Sequence, residues 1–187
     1  MRNIKSYLIT DPNYFSDNKE IFKEKLIAVL KNHKIDFACF RDKSSKNIEE
    51  LAKIFLQICK EFKIKNILIN SNISLAIKLG FDGVHLNSQQ FDKIENAKKS
   101  NLITIISCHN LEELDKAINK NIDFVTYSPI FDTPNKGQSK GVDKLNEVIE
   151  KFPNLKIFAL GGIIQNEQIK EIEKTKAYGF ASIRYFI

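Results

Sequence analysis

The chain is poor in arginine. Of its 29 basic residues only Arg2, Arg41 and Arg184 are Arg, and the rest are Lys. A guanidinium offers a planar fork of donors to a carboxylate or phosphate, which an ammonium cannot do. The few positions that keep one are therefore informative. Cysteine is also scarce: Cys39, Cys59 and Cys108 are odd in number and scattered. That excludes a disulfide framework and any metal-like spacing, and it points to a reducing cytoplasm. No apolar run approaches the ~20 residues of a membrane helix. Nor does the start look like a signal, since Met1-Arg2-Asn3-Ile4-Lys5 leads straight into a strand. A basic stripe is missing too. The net charge of +6 is spread over nearly every helical segment and interleaved with Glu, as in Lys170-Glu171-Ile172-Glu173-Lys174. That is the pattern of a solvated surface rather than a phosphate track, so neither nucleic acid nor membrane is an expected partner.

What is present reads as one soluble domain over residues 1–187, with 43% hydrophobic and 28% charged residues. Short β-rich runs recur at Tyr7–Ile9, Phe37–Phe40, Ile67–Ile69, Gly83–Leu86, Ile103–Ile106, Phe124–Tyr127, Ile157–Leu160 and Phe180–Ile183. Between them lie stretches of helical period. Their apolar faces are marked by Ile21, Leu26, Val29 and Leu30, by Leu51, Ile54, Phe55 and Ile58, by Leu75, Ile77 and Leu79, and by Leu111, Leu114 and Ile118. Later stretches are marked by Leu145, Val148 and Ile149 and by Ile169 and Ile172. Caps are expected at Ser16-Asp17, Ser44-Ser45 and Asn110.

Continuously apolar short strands alternating with amphipathic helices imply a parallel sheet covered by helices. Eight strands and seven intervening helices fit an α/β (β/α)₈ TIM barrel. The final helix is missing, because the sequence given stops at Ile187 just past strand eight. The flank of strands eight and one is then open to a neighbouring subunit, which makes a homodimer a candidate arrangement. A doubly wound open sheet is the alternative; it would lack pairing between the first and last strands.

In such a barrel, chemistry gathers where strands run into their following loops. Arg41 ends strand two and Arg184 follows strand eight, so both are candidates for holding an anionic small molecule; the alternative is a structural ion pair. Gly161-Gly162 lies between strand seven and a helix, where backbone N–H groups can approach an oxyanion. With Arg184 it reads as a phosphate cradle, although a plain tight turn would look the same. Strand six leads into a long loop from Ser128. Its Thr133, Lys136, Gly137, Ser139, Lys140 and Gly141 form a polar, hinge-rich lid or else a surface excursion. His109 is placed at the mouth to act as acid, base or donor. His85, within strand four, is read as structural, His33 as an exposed residue near a helix end, and Cys108 as a packed thiol.

The strand-end words resemble one family, thiamine phosphate synthase with its TenI relatives, from Tyr7-Leu8-Ile9-Thr10-Asp11 to Ile183. The words that carry the resemblance are Phe40-Arg41-Asp42-Lys43, Asp82-Gly83-Val84-His85-Leu86, Ser107-Cys108-His109, the segment from Asp123 to Thr133, and Ala159-Leu160-Gly161-Gly162-Ile163. The synthase joins an aminopyrimidine diphosphate to a thiazole phosphate and releases pyrophosphate. The resemblance implies that Arg41 and Lys43 hold the diphosphate, with Asn70 against the pyrimidine and Ser107 and Lys136 near the pyrophosphate. Thr133 and Gly162 then hold the thiazole phosphate; Gly161 and Arg184 join them from the strand-end reading, not from the resemblance.

This sequence departs from the synthase at the Mg²⁺ carboxylates. Ser71 stands where the family has one Asp, and Gln90 stands where it has the other. No metal residue is therefore assigned, and Mg²⁺ is a cofactor only for an active synthase. The TenI branch lacks these carboxylates in a similar way, and the resemblance favours that branch: a protein acting on thiazole phosphate, with thiazole tautomerase-type chemistry. The branch's strand-six histidine corresponds to Pro129 here, which leaves His109 as the candidate catalytic group. The family's small hydroxyl at strand eight reads as Arg184. The remaining alternatives are a true synthase and a non-catalytic barrel that binds phosphorylated ligands.

Overall fold

In the computed structural model, which describes residues 4–187 and so leaves Arg2 outside, the branched and aromatic runs form eight short strands. They are β1 (Lys5–Ile9), β2 (Phe37–Phe40), β3 (Asn66–Asn70), β4 (Gly83–Leu86), β5 (Ile103–Cys108), β6 (Phe124–Tyr127), β7 (Ile157–Leu160) and β8 (Gly179–Ser182). Each pairs in parallel with its sequence neighbours, and β8 pairs with β1 in the register Tyr7 to Ala181 and Leu8 to Ser182. The sheet is a closed barrel, which disposes of the open-sheet alternative.

The covering helices are α1 (Pro12–Phe15), α2 (Lys19–Asn32), α3 (Ile48–Glu61), α4 (Ile73–Leu79), α5 (Ile94–Lys99), α6 (Leu111–Asn119), α7 (Gly141–Lys151) and α8 (Asn166–Glu173). The extra one-turn α1 exists because Asp11 accepts the Asn13 N–H and Pro12 fills the first helical position. Asn18, not Ser16-Asp17, caps α2, accepting from Glu20 and Ile21 N–H. Ser44-Ser45 cap nothing; their N–H groups donate to Asp42 in a turn ahead of α3. Asn110 caps α6 as expected.

Three helical faces are shifted from the expected ones. Ile21, Ile77 and Ile118 are exposed, and their neighbours Phe22, Ala76 and Ala117 are buried. The 3.6-residue period of α2 runs through Phe22, Leu26 and Val29, so Ile21 falls outside the stripe. Past β8 the chain makes a 3₁₀ turn, Arg184–Phe186. Phe186 is buried there, stacked on Phe180 at 5.8 Å, with His33 edge-on at 5.4 Å. His33 is thus a half-buried helix cap rather than an exposed one, and burial lowers its pKa.

The barrel interior is plugged at its amino-terminal end by aromatic rings. Phe37 meets Phe158 at 5.1 Å and Phe124 at 5.2 Å, and Tyr178 meets Phe158 at 5.2 Å. A second apolar layer lies between the sheet and the helices. The plug closes one end, leaving only the carboxyl ends of the strands as a mouth.

One device recurs at the plugged end. Asp36, Asp82 and Asp123 stand just before β2, β4 and β6, and each carboxylate accepts an N–H from the start of the preceding strand. The donors are Ser6 at 3.1 Å, Ile67 at 2.8 Å and Thr104 at 2.8 Å. These acids pin the strand register rather than serve chemistry.

Asp82→Ala leaves the buried Ile67 N–H without a partner and is expected to cost about 1–3 kcal/mol in urea denaturation. At Asp36, burial pushes the pKa up, but the Lys5 ammonium and the Ser6 donors outweigh it and hold the carboxyl below its ordinary value. Its stabilising contribution is therefore present above the ordinary carboxylate range and lost as pH falls through the lowered pKa. Asp36→Asn should flatten that acid limb of the stability profile relative to the parent protein.

Candidate anion-binding site

The mouth is built from strand-end residues, as expected for a parallel barrel. Arg41 follows β2 and is held in place by two contacts. Its N–H donates to Thr10 Oγ1 at 2.8 Å, and its guanidinium pairs with Asp11, the cap of α1. The structural ion pair considered for Arg41 is real; it engages Nη1, and the side chain stays 27% exposed. Lys43 is exposed and has no ion-pair partner among the described residues. Asp42, between them, is committed to Ser44 and Ser45. Burial raises its pKa, and those hydrogen bonds with the Arg41 charge overcome this and lower it.

The lid is less free than its composition suggests. Ile130 and Phe131 donate to the Leu160 and Gly161 carbonyls at 2.9 and 3.0 Å. At the far end, Lys140 and Gly141 donate to Pro129 and Ile130 carbonyls, both at 2.9 Å. Both ends of the loop are stitched down and Ile130 is fully buried, so only the stretch around Asp132–Gln138 stands out into solvent, carrying Lys136.

This docking explains the paired glycines. Gly161 and Gly162 have φ of +98° and +69°, and a Cβ on Gly162 would lie 2.5 Å from the Phe131 carbonyl carbon. The same approach brings Thr133 Oγ1 to 3.2 Å from a Cβ built on Gly161. Gly161, Gly162 and Thr133 thus form one unit. The Gly162 carbonyl accepts from Gln168 Nε2 at 2.8 Å, tying the turn to the start of α8.

Arg184 is the correction here. β8 ends at Ser182, so Arg184 lies two residues beyond the strand, within the 3₁₀ turn. The hydroxyl at the strand end is Ser182, which donates to the Ile163 carbonyl at 2.8 Å and accepts from Tyr185 N–H at 3.2 Å. Sequence reading passed over it because the apolar run extended one residue too far. Arg184 has no ion-pair partner among the described residues.

His109 is exposed, and its Nδ1 lies 3.2 Å from both the carbonyl and the Oγ of Ser128, at the root of the strand-six loop. The Nδ1–H tautomer donates to the carbonyl and leaves a lone pair on Nε2, whereas the Nε2–H tautomer accepts the Ser128 hydroxyl at Nδ1. Cys108 is buried and its thiol is pushed up to about 12, as a packed thiol should be.

Residues 6–186 match the family described as thiamine monophosphate synthase. This chain belongs to that family. It is 37% identical to the "Putative thiamine-phosphate synthase 2" of Aquifex aeolicus over 97% of this chain and 96% of that protein. It is 35% identical to the "Thiamine-phosphate synthase" of Pelagibacter ubique over 84% and 76% of the two chains. Its fold superposes on thiamine phosphate pyrophosphorylase from Pyrococcus furiosus with a TM-score of 0.82 at 26% identity, covering 96% of this chain and 85% of that one.

For a member of the thiamine monophosphate synthase family, the strand-three and strand-four loops decide whether Mg²⁺ fits. They bring Ser71 and Gln90 together, as the two carboxylate positions require, but every group there is neutral. Ser71 Oγ accepts from Asn70 Nδ2 at 3.0 Å and from Asn87 Nδ2 at 3.5 Å. Gln90 Oε1 accepts the Asn87 N–H at 3.1 Å, its Nε2 donates to the Ser71 carbonyl at 3.3 Å, and Asn87 Oδ1 accepts from Gln89. The Ser71, Asn87 and Gln90 side-chain oxygens already accept hydrogen bonds, and no group of three or more His, Cys, Asp or Glu among the described residues is placed to hold a metal. A hard divalent cation demands several charged or free oxygens, so this donor set does not fit it.

Ser71 already has φ of +61°, which Asp tolerates. The double change Ser71→Asp and Gln90→Asp should tighten Mn²⁺ binding by about tenfold or more over the parent protein, read by water-proton relaxation. Equal binding by both proteins would show that these loops are not where the missing charge belongs.

Proposed function

We propose that this chain is a TenI-like member of the family, which binds a thiazole phosphate at Thr133, Gly161 and Gly162 and isomerises a thiazole carboxylate phosphate without a metal. The observation that carries this reading is the neutral, hydrogen-bonded cluster of Asn70, Ser71, Asn87 and Gln90. A diphosphate leaving group needs its charge neutralised as it departs, and the carboxylates that would hold a metal for that purpose are absent.

Isomerisation makes no such demand. A proton leaves one position of the five-membered ring and another is delivered elsewhere, with no change in oxidation state. His109 Nε2, in the tautomer whose Nδ1–H donates to the Ser128 carbonyl, serves as the base and returns the proton as the acid. Its placement at the root of the strand-six loop supports this role, since Pro129 there has no proton to give. Arg41, Lys43, Asn70, Ser107 and Lys136 line the adjoining half of the mouth as the pocket for a second anion. The names of the relatives favour a second reading, a synthase forming thiamine phosphate. Arg41 and Lys43 would then carry the diphosphate.

Purified protein given thiazole carboxylate phosphate should convert it to the aromatic tautomer, followed by ring-proton NMR. His109→Asn should slow conversion by about a hundredfold or more while thiazole phosphate binding stays within a few-fold. Unchanged turnover in the variant would remove His109 from the chemistry. No conversion by the parent protein would leave the synthase or a silent binder.

A further inference from the structure

Beneath the mouth, a polar chain runs through the barrel interior, and only its outer end, Ser107, belongs to the proposed pocket. Tyr7 OH lies 2.9 Å from His85 Nδ1. His85 Nε2 lies 3.1 Å from Ser107 Oγ and 3.4 Å from Thr126 Oγ1, and Thr126 Oγ1 lies 3.3 Å from Ser107 Oγ. Tyr7 and Thr126 are fully buried and His85 is nearly so, whereas Ser107 is half-buried at the mouth. The chain therefore connects the core to the surface of the site.

The proton positions follow by elimination. The Tyr7 hydroxyl proton has no access to water, and a buried O–H without an acceptor costs heavily. Cys39 Sγ also neighbours it, but a thiol is a weak acceptor, and this one points its own weak bond to the Phe40 carbonyl at 3.7 Å. The strong acceptor is His85 Nδ1, so Tyr7 donates there. Burial first, and the Arg41 charge second, lower the His85 pKa to about 3, so the ring is neutral and carries one proton. With Nδ1 accepting, that proton sits on Nε2 and is donated to Ser107 Oγ. Thr126 donates to the same oxygen. Both lone pairs of Ser107 are then filled from below, and its own O–H can only donate outward.

We propose that Tyr7, His85 and Thr126 are positioning residues that commit Ser107 as a one-way hydrogen-bond donor to an anionic oxygen bound in the mouth. This rests on the reading of that half of the mouth as an anion pocket. The physical gain is preorganisation: the donor direction is fixed before the anion arrives, so little reorientation is needed on binding. The opposite tautomer would turn the Ser107 proton inward, onto His85 Nε2, and present a lone pair to the anion instead.

Two measurements test this separately. The first is long-range ¹H–¹⁵N NMR of histidine-labelled protein without ligand, which is expected to show His85 protonated on Nε2. Protonation on Nδ1 overturns the proposal whatever the protein binds. The second is calorimetric titration with inorganic pyrophosphate in EDTA. Ser107→Ala should weaken binding by about tenfold, and Tyr7→Phe by a smaller factor in the same direction. The double variant should be no weaker than Ser107→Ala alone, because Tyr7 acts only through Ser107. His85→Gln, which keeps one acceptor and one donor, should retain most of the binding that His85→Leu loses. Additive losses, or equal losses in His85→Gln and His85→Leu, would mean a merely structural role and overturn the proposal. If the parent protein fails to bind pyrophosphate while the NMR shows the Nε2 tautomer, the anion map is what fails.

Discussion

Pairing of β8 with β1 closes the sheet, and every feature of the site depends on that closure. It sends all eight strand ends to one rim and sets residues distant in sequence side by side. Tyr7 on β1 meets His85 on β4 across the barrel interior, and Leu8 on β1 faces Ser182 on β8. The aromatic plug at the other end and the aspartates before β2, β4 and β6 hold the register of that ring. The division matches the rule that barrels keep stability at one face and chemistry at the other.

At the rim, charge and neutrality are segregated. Arg41, Lys43 and Lys136 supply positive charge, with Asp11 paired to Arg41 and Asp42 committed to Ser44 and Ser45. Beside them, Asn70, Ser71, Asn87 and Gln90 hydrogen-bond to one another and offer amides and a hydroxyl but no carboxylate. The Gly161-Gly162 turn is shaped by the backbone of the docked loop, and Thr133 is delivered to it by the same docking. A phosphate on one side and a planar, hydrogen-bonding ring on the other would suit this distribution.

Much of this was legible in the sequence, and the parts that were not share a cause. Strand positions held to within two residues because short runs buried on both faces have no rival interpretation. Helical faces slipped at Ile21, Ile77 and Ile118, since an apolar residue beside the stripe looks like one within it. The placement of Arg41 and Gly161-Gly162 at the mouth follows from strand-end position, whereas Thr133 is read from the composition of the long loop and the family resemblance. The Asp11 partner and the Tyr7–His85–Ser107 chain could not be found, because each depends on contacts between strands, and the Ser182 hydroxyl is hidden inside an apolar run that overruns the strand by one residue. The strand-six loop looked free because its polar tip dominates its composition, whereas four backbone hydrogen bonds at its ends decide its behaviour.

The central claim is that this barrel works on a phosphorylated thiazole without a divalent metal. The most direct measurement is thiamine phosphate formation by fluorescence, with thiazole phosphate, aminopyrimidine diphosphate and Mg²⁺ supplied to the purified protein, alongside calorimetric binding of thiazole phosphate. The account expects bound thiazole phosphate and no product above the uncatalysed background. Robust, Mg²⁺-dependent product would contradict it, showing that a shell of neutral oxygens suffices where the family uses two carboxylates.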